Sequence, residues 1–159
     1  MNKLTLTEFI KCNLRTVNNS LPAHLEPNFQ RIKQVYDWLK SHFPDLLLNC
    51  GYRSPAFNKA VGGDPNSYHL QGLAIDIDTP DNRQNKQIFQ FIIDHYQEQF
   101  GQIFDYLIWE KGTDENAGWL HIQIHQRNQI PRGIIHRFFE KDGKWIYRQC
   151  DRNGKIVIK

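Results

Sequence analysis

Residues 67–78 read SYHLQGLAIDID, a polar loop running straight into a strand. Leu73, Ile75 and Ile77 alternate with Ala74, Asp76 and Asp78, the period of two that sends one set of side chains to each face of a sheet. A bare carboxylate inside an otherwise apolar strand is costly to bury, so Asp76 needs a partner. His69 lies seven residues upstream, on the loop side of the same connection. Before it, GYRSPAFNKAVGGDPNSYH (residues 51–69) is dense in Gly, Pro, Ser and Asn, a composition that makes loops. LLLNC (residues 46–50) is short and apolar enough to be a buried strand.

On the N-terminal side, a helix is expected over Leu6–Cys12 with Thr5 or Thr7 as its cap, and SLPAHLEP (residues 20–27) reads as a connection. Phe29, Ile32, Val35, Tyr36, Leu39 and Phe43 recur at intervals of three and four, one buried stripe of a long helix that Pro44 ends. On the C-terminal side, Thr79-Pro80-Asp81 looks like a helix start. Ile88, Phe91, Ile92 and Tyr96 form the stripe of a second long helix, with Gly101 just past its end. DYLIW (105–109) and WLHIQIH (119–125) read as strands joined by the polar loop KGTDENAG. From about Gly133, strands at Ile134–Phe139, Trp145–Arg148 and Ile156–Ile158 are punctuated by Asp142-Gly143 and Asn153-Gly154, both hairpin turn signals. The expected class is α+β: a small antiparallel sheet with helices packed on it, plus C-terminal β-hairpins.

With 159 residues and no repeat or low-complexity linker, the chain is expected to be one domain, residues 1–159. A hydrophobic share of 40% and a charged share of 23% describe an ordinary globular chain. The net charge of +3 is scattered along the sequence, which argues against a nucleic-acid partner. No run of about 18 apolar residues is present, which argues against membrane insertion. MNKLTLTEFIKCNL lacks a sustained apolar core, so synthesis in the cytoplasm without a signal peptide is expected. Cys12, Cys50 and Cys150 are far apart and include no CxxC pair; they read as three reduced thiols, and a zinc site built from cysteines would need close pairs.

His121 sits in the 119–125 strand on the same face as Gln123. Two histidines and an aspartate from separate elements suffice for a catalytic zinc, which takes three protein ligands and keeps a fourth position open. His125 shares the His121 face, but four strand residues span about 13 Å, too far for both to hold one ion; it either lines a groove or is solvated. Asp78 reads as support for Asp76 or as polarity at the helix start. His24, His42, His95 and His136 read as structural or exposed.

The pattern S-x-H-x-x-G-x-A-x-D over Ser67–Asp76, W-x-H over Trp119–His121, and GYRSPAFNKAVGG over Gly51–Gly63 occur in that family's characteristic arrangement: together they resemble the zinc D-alanyl-D-alanine carboxypeptidases and their peptidoglycan endopeptidase relatives, which share a fold with the hedgehog signalling domain. The resemblance runs from about Leu25 to Gln123, a family-like core of residues 25–125, and leaves the hairpins at 133–159 outside it. It implies zinc as cofactor with His69, Asp76 and His121 as ligands. It implies Arg53 as the group holding the scissile carbonyl or its oxyanion, and Ser67 as a residue that orients the first-ligand loop or touches substrate. Many relatives carry an acid three positions before the last histidine, where this chain has Gly118. The general base is therefore sought at Glu110, Asp114 or Glu115, and Glu110 is favoured because strand ends position groups better than polar loops.

The expected function is zinc-dependent hydrolysis of a peptide bond in peptidoglycan stem peptides or crosslinks, as a D-Ala-D-Ala carboxypeptidase or endopeptidase. A phage or prophage endolysin, acting on the wall after release or from a phage particle, fits the absent signal peptide. The alternatives are a non-catalytic zinc module binding cell-wall peptide or protein, and a cytosolic D-Ala-D-Ala dipeptidase.

Overall fold

The computed structural model describes residues 3–14 and 16–157. Among them are four helices and six strands, an α+β arrangement with a mixed sheet. Two compact units divide the chain, one ending at Asp76 and the other starting at Ile77.

In the first unit, α1 (Leu6–Phe9) starts with a capping box in which Thr5 Oγ1 accepts from the Glu8 N–H and the Glu8 side chain accepts from the Thr5 N–H. It ends three residues before Cys12. The long helix, α2 (Glu26–His42), begins three residues ahead of the apolar stripe because Pro27 is tolerated in a first turn, where its missing N–H has no intrahelical partner. Its stripe of Phe29, Ile32, Val35, Tyr36 and Leu39 is buried. Each such side chain contributes roughly 1.5–3 kcal/mol on leaving water. The strand β1 (Leu47–Cys50) is not the buried strand expected from LLLNC, since its burial alternates and Leu47 is 44% exposed. The glycine-rich stretch also conceals a helix, α3 (Pro55–Ala60): Ser54 Oγ accepts from the Phe57 N–H and Pro55 occupies the first turn, a start signal masked by the surrounding loop composition. The strand β2 (Ala74–Asp78), which crosses from the first unit into the second, lies where the sequence placed it, but Ala74–Ile77 are all buried, so its burial does not alternate.

The N-terminal segment holds the 51–54 backbone. Tyr52 N–H donates to the Phe9 carbonyl at 2.9 Å. Buried Asn19 donates to the Ile10 and Tyr52 carbonyls and accepts from the Ser54 N–H. Gly51 is required here, because a Cβ would lie 2.4 Å from the Phe9 ring and carbonyl.

In the second unit, α4 (Asn85–Phe100) ends on Gly101 at φ 68°. The strands β3 (Tyr106–Glu110), β4 (Trp119–Gln123), β5 (Ile134–Lys141) and β6 (Lys144–Gln149) lie in the order β4-β3-β5-β6. The β3–β4 and β5–β6 pairs are antiparallel, the latter joined through Asp142 and Gly143, both at positive φ as the hairpin signal requires. The β3–β5 pair is parallel, so the sheet is mixed and not wholly antiparallel. Returning to the start of β3 makes it so: Arg132 binds the Asp105 carboxylate, Gly133 N–H donates to the Phe104 carbonyl and Ile134 N–H to the Asp105 carbonyl. The last expected strand reduces to one bridge, Cys150 with Ile156; Ile158 lies outside the described residues.

Register assigns the faces. Tyr106 and Glu110 on β3, Trp119 and His121 on β4, His136 and Phe138 on β5, and Trp145 and Tyr147 on β6 share one face. Leu107, Trp109, Leu120 and Ile122 take the other, where the Phe89 ring of α4 meets Trp109 edge-on at 5.3 Å. No described helix is long and apolar enough to cross a membrane.

Candidate metal centre

His69 sits on a single 3-10 turn, Tyr68–Gln71, and is 2% exposed. Ser67 Oγ accepts from the His69 N–H, and Gly72 closes the turn at φ 66°, a conformation glycine adopts without penalty. The His69 carbonyl accepts from the Arg53 N–H at 3.1 Å. Its ring Nδ1 lies 2.6 Å from the Gly51 carbonyl. A carbonyl can only accept, so Nδ1 carries the proton and Nε2 faces Asp76.

Asp76 brings the other groups in. His69 Nε2 is 3.3 Å from Asp76 Oδ1, and Arg53 Nη2 donates to Asp76 Oδ2 at 2.9 Å. Arg53 Nε in turn donates to Cys50 Sγ at 3.1 Å. Burial alone would lower the Arg53 proton affinity, but neighbouring Cys50 and Asp76 more than offset it and raise it. Burial pushes the Cys50 thiol up against the opposing pull of Arg53. The donor atoms of Cys50, His69 and Asp76 all lie within 4.8 Å of one another.

In the second unit, Glu110 and His121 are diagonal neighbours on one face of the β3–β4 pair, since Ile108 is opposite His121 and Glu110 opposite Trp119. Glu110 is 9% exposed. Gly118 N–H donates to the Glu110 carbonyl at 2.9 Å, and a Cβ on Gly118 would come within 3.1 Å of that oxygen. Asn85, fully buried, donates to the Ala117 carbonyl and to Asp78, fixing the approach to β4; Asp78 is therefore polarity at the helix start. The intervening loop is tied by its own bonds, with Thr113 Oγ1 accepting from Glu115 and Asn116. Asp114 pairs with Arg137, whose side chain lies on the face opposite Glu110, and Glu115 pairs with Lys86 at 3.1 Å. His125 is buried just past β4, so it is not a solvated side chain.

A family profile described as Peptidase M15 matches residues 2–122, about three quarters of the sequence. The chain belongs to the peptidase M15 family. M15 peptidases are zinc-dependent metallopeptidases, and this M15 chain offers a pair that fits the metal. Two tetrahedral ligands about 2.0–2.1 Å from a shared zinc stand roughly 3.3–3.4 Å apart, and the His69–Asp76 separation is 3.3 Å. With Nδ1 donating to the Gly51 carbonyl, Nε2 is the ring nitrogen that faces Asp76 Oδ1 and would bind a metal there. The Gly51 carbonyl supplies the outer hydrogen bond that orients a ligating imidazole. No curated protein matches the chain.

Among residues singled out from the sequence of this M15 peptidase, His69, Asp76, Arg53 and Ser67 lie in the first unit, the first three in direct contact through side chains or backbone. Glu110 and His121 lie together on the second. Sequence reasoning missed Cys50, because it looked only for cysteine pairs; the available signal was its place directly before GYRS. It also placed the start of the family resemblance near Leu25, whereas the match begins at residue 2. The Phe9 and Asn19 bonds to residues 52–54 give that N-terminal segment its structural part.

Proposed function

We propose that this M15 chain hydrolyses a peptide bond in bacterial peptidoglycan stem peptides or crosslinks, with His69, Asp76 and His121 as zinc ligands. The single observation that carries the reading is the His69–Asp76 pair, two buried donors at ligand spacing with the imidazole tautomer set by Gly51. His121 enters on its W-x-H motif. Zinc, when bound, supplies Lewis-acid polarisation at the scissile bond.

The chain's own residues do the rest. Glu110 takes the proton from the attacking water and returns it to the leaving amine. Its support is a strand-end position beside His121 on one sheet face, while Asp114 and Glu115 are engaged with Arg137 and Lys86. Arg53 binds the developing oxyanion: Nε and Nη2 are held by Cys50 and Asp76, and Nη1 donates to no described residue. Ser67 orients the His69 turn through its backbone N–H. An endolysin role is the finer form of this reading.

The test is a digest of purified peptidoglycan by zinc-loaded protein, read by mass spectrometry, with His121→Ala as control. New fragments from wild type alone are expected, and their masses name the bond cut as D-Ala-D-Ala terminus, D,D crosslink or another. Stoichiometric zinc with no fragments from several wall types would replace the peptidase by a non-catalytic zinc module.

A further inference from the structure

We infer that Lys111 is a recognition site for a free carboxylate on the peptide substrate, set beside Glu110; the inference rests on the peptidase reading above. Lys111 follows β3 directly, and simple strand alternation would send it to the face opposite Glu110. It instead adopts φ 52°, a left-handed conformation that side chains other than glycine and asparagine rarely take. The consequence is a change of face. Lys111 Nζ lies 5.2 Å from the Trp119 ring centroid and 4.7 Å from that of Trp145, two residues that share the Glu110 and His121 face.

The turn itself does not require lysine. Gly112 already supplies positive φ at the next position, and a Cβ there would meet the Asn116 carbonyl at 2.3 Å. What lysine adds is an ammonium between two indoles. No described carboxylate forms an ion pair with it, although Glu140 stands directly opposite Trp145 in the hairpin register. Aromatic walls attract the cation but leave its charge uncompensated, and they exclude water from its sides, so an arriving anion is held more strongly than at an open surface.

The wall is built by the hairpin beyond the family-matched residues. Trp145 stacks on Phe138 at 5.1 Å, and Phe138 on Tyr147 at 4.4 Å, while Lys111 N–H donates to the Phe138 carbonyl at 2.7 Å. Trp145 remains 48% exposed. A cation flanked by aromatic rings fits a carboxylate carried next to a small apolar group, as at the free end of a peptide. The C-terminal hairpin thereby gains a part in substrate selection.

The test compares hydrolysis of one D,D-dipeptide-terminated peptide as free acid and as C-terminal amide, using the zinc-loaded full chain. Wild type should prefer the acid by about tenfold or more. Lys111→Gln should bring the ratio toward one, and Lys111→Arg should retain the preference. A ratio that survives Lys111→Gln, including the case where both rates fall together, overturns the inference while leaving the peptidase reading standing. If wild type hydrolyses neither, only the D-Ala-D-Ala carboxypeptidase form of the peptidase reading fails, the wall digest deciding the other bonds, and tryptophan fluorescence titrated with N-acetyl-D-alanine decides the site. A saturable change that is lost in Lys111→Gln and absent with N-acetyl-D-alaninamide supports it; no saturable change overturns it.

Discussion

His69 Nε2 stands 3.3 Å from Asp76 Oδ1 while His69 Nδ1 is bound 2.6 Å from the Gly51 carbonyl. The two contacts are linked: the carbonyl can only accept, so Nδ1 carries a proton and Nε2 is the ring nitrogen turned toward the carboxylate, the one that would bind a metal. Replacing Asp76 by Asn should lower zinc affinity by about 100-fold or more. Competition against a chromophoric chelator measures this, and unchanged affinity would remove Asp76 from the ligand set.

Glu110→Gln should reduce turnover by about 10²–10⁴-fold with zinc content unaltered, since the amide keeps the shape but takes no proton. Asp114→Asn should stay near wild type, because that carboxylate pairs with Arg137 on the other face of the sheet. Steady-state rates with metal analysis of the same samples separate the two; a fully active Glu110→Gln variant assigns the base elsewhere.

Asn19 is 7% exposed and joins Ile10, Tyr52 and Ser54 through three hydrogen bonds. Asn19→Ala leaves buried backbone groups unpaired and should cost about 1–3 kcal/mol. For a chain of this size that is a fall in Tm of roughly 3–10 °C, read by calorimetry. A change under one degree would mean that water replaces the carboxamide.

Asp105 is 2% exposed and bound by Arg132 and Gln123. Burial pushes its carboxyl up, but the Arg132 and Gln123 hydrogen bonds prevail and hold it below the usual carboxylate range. Its stabilising contribution is therefore present above the unfolded value, about pH 4, and is lost as pH falls through the folded one. Arg132→Ala removes the cation from the buried carboxylate, and because that guanidinium is half exposed the loss should be about 1–2 kcal/mol at pH 7. The gap from wild type should begin to narrow as pH falls below about 4, the unfolded value, and close only below the lowered folded value, where Asp105 is protonated in both. Urea titrations at pH 7 and pH 3 check this, and a gap independent of pH would show that packing, not charge, is lost.

Local chemistry explains what was legible. The apolar stripe of α2 and the sequence alternation that marks β2 are periodicities within one element, and the Asp142-Gly143 turn needs only two residues that tolerate positive φ. The misreadings share a cause as well. Composition labelled residues 51–69 a loop, yet Ser54 and Pro55 start a helix inside it. The apolar run before Cys50 suggested burial, but burial depends on what covers a strand, and Leu47 is left exposed.

The sequence by itself determined the α+β class and put His69 and Asp76 seven residues apart, on a turn and a strand that follow from their own spacing. Those features depend on backbone geometry between near neighbours. Tertiary structure alone decided that Gly51 sets the His69 tautomer, that Arg53 bridges Cys50 and Asp76, and that β5 runs parallel to β3. It also decided that Lys111 turns onto the Glu110 face. Each of these joins groups whose partners are chosen by packing and by the need to satisfy buried polar atoms, and no local period encodes such a choice.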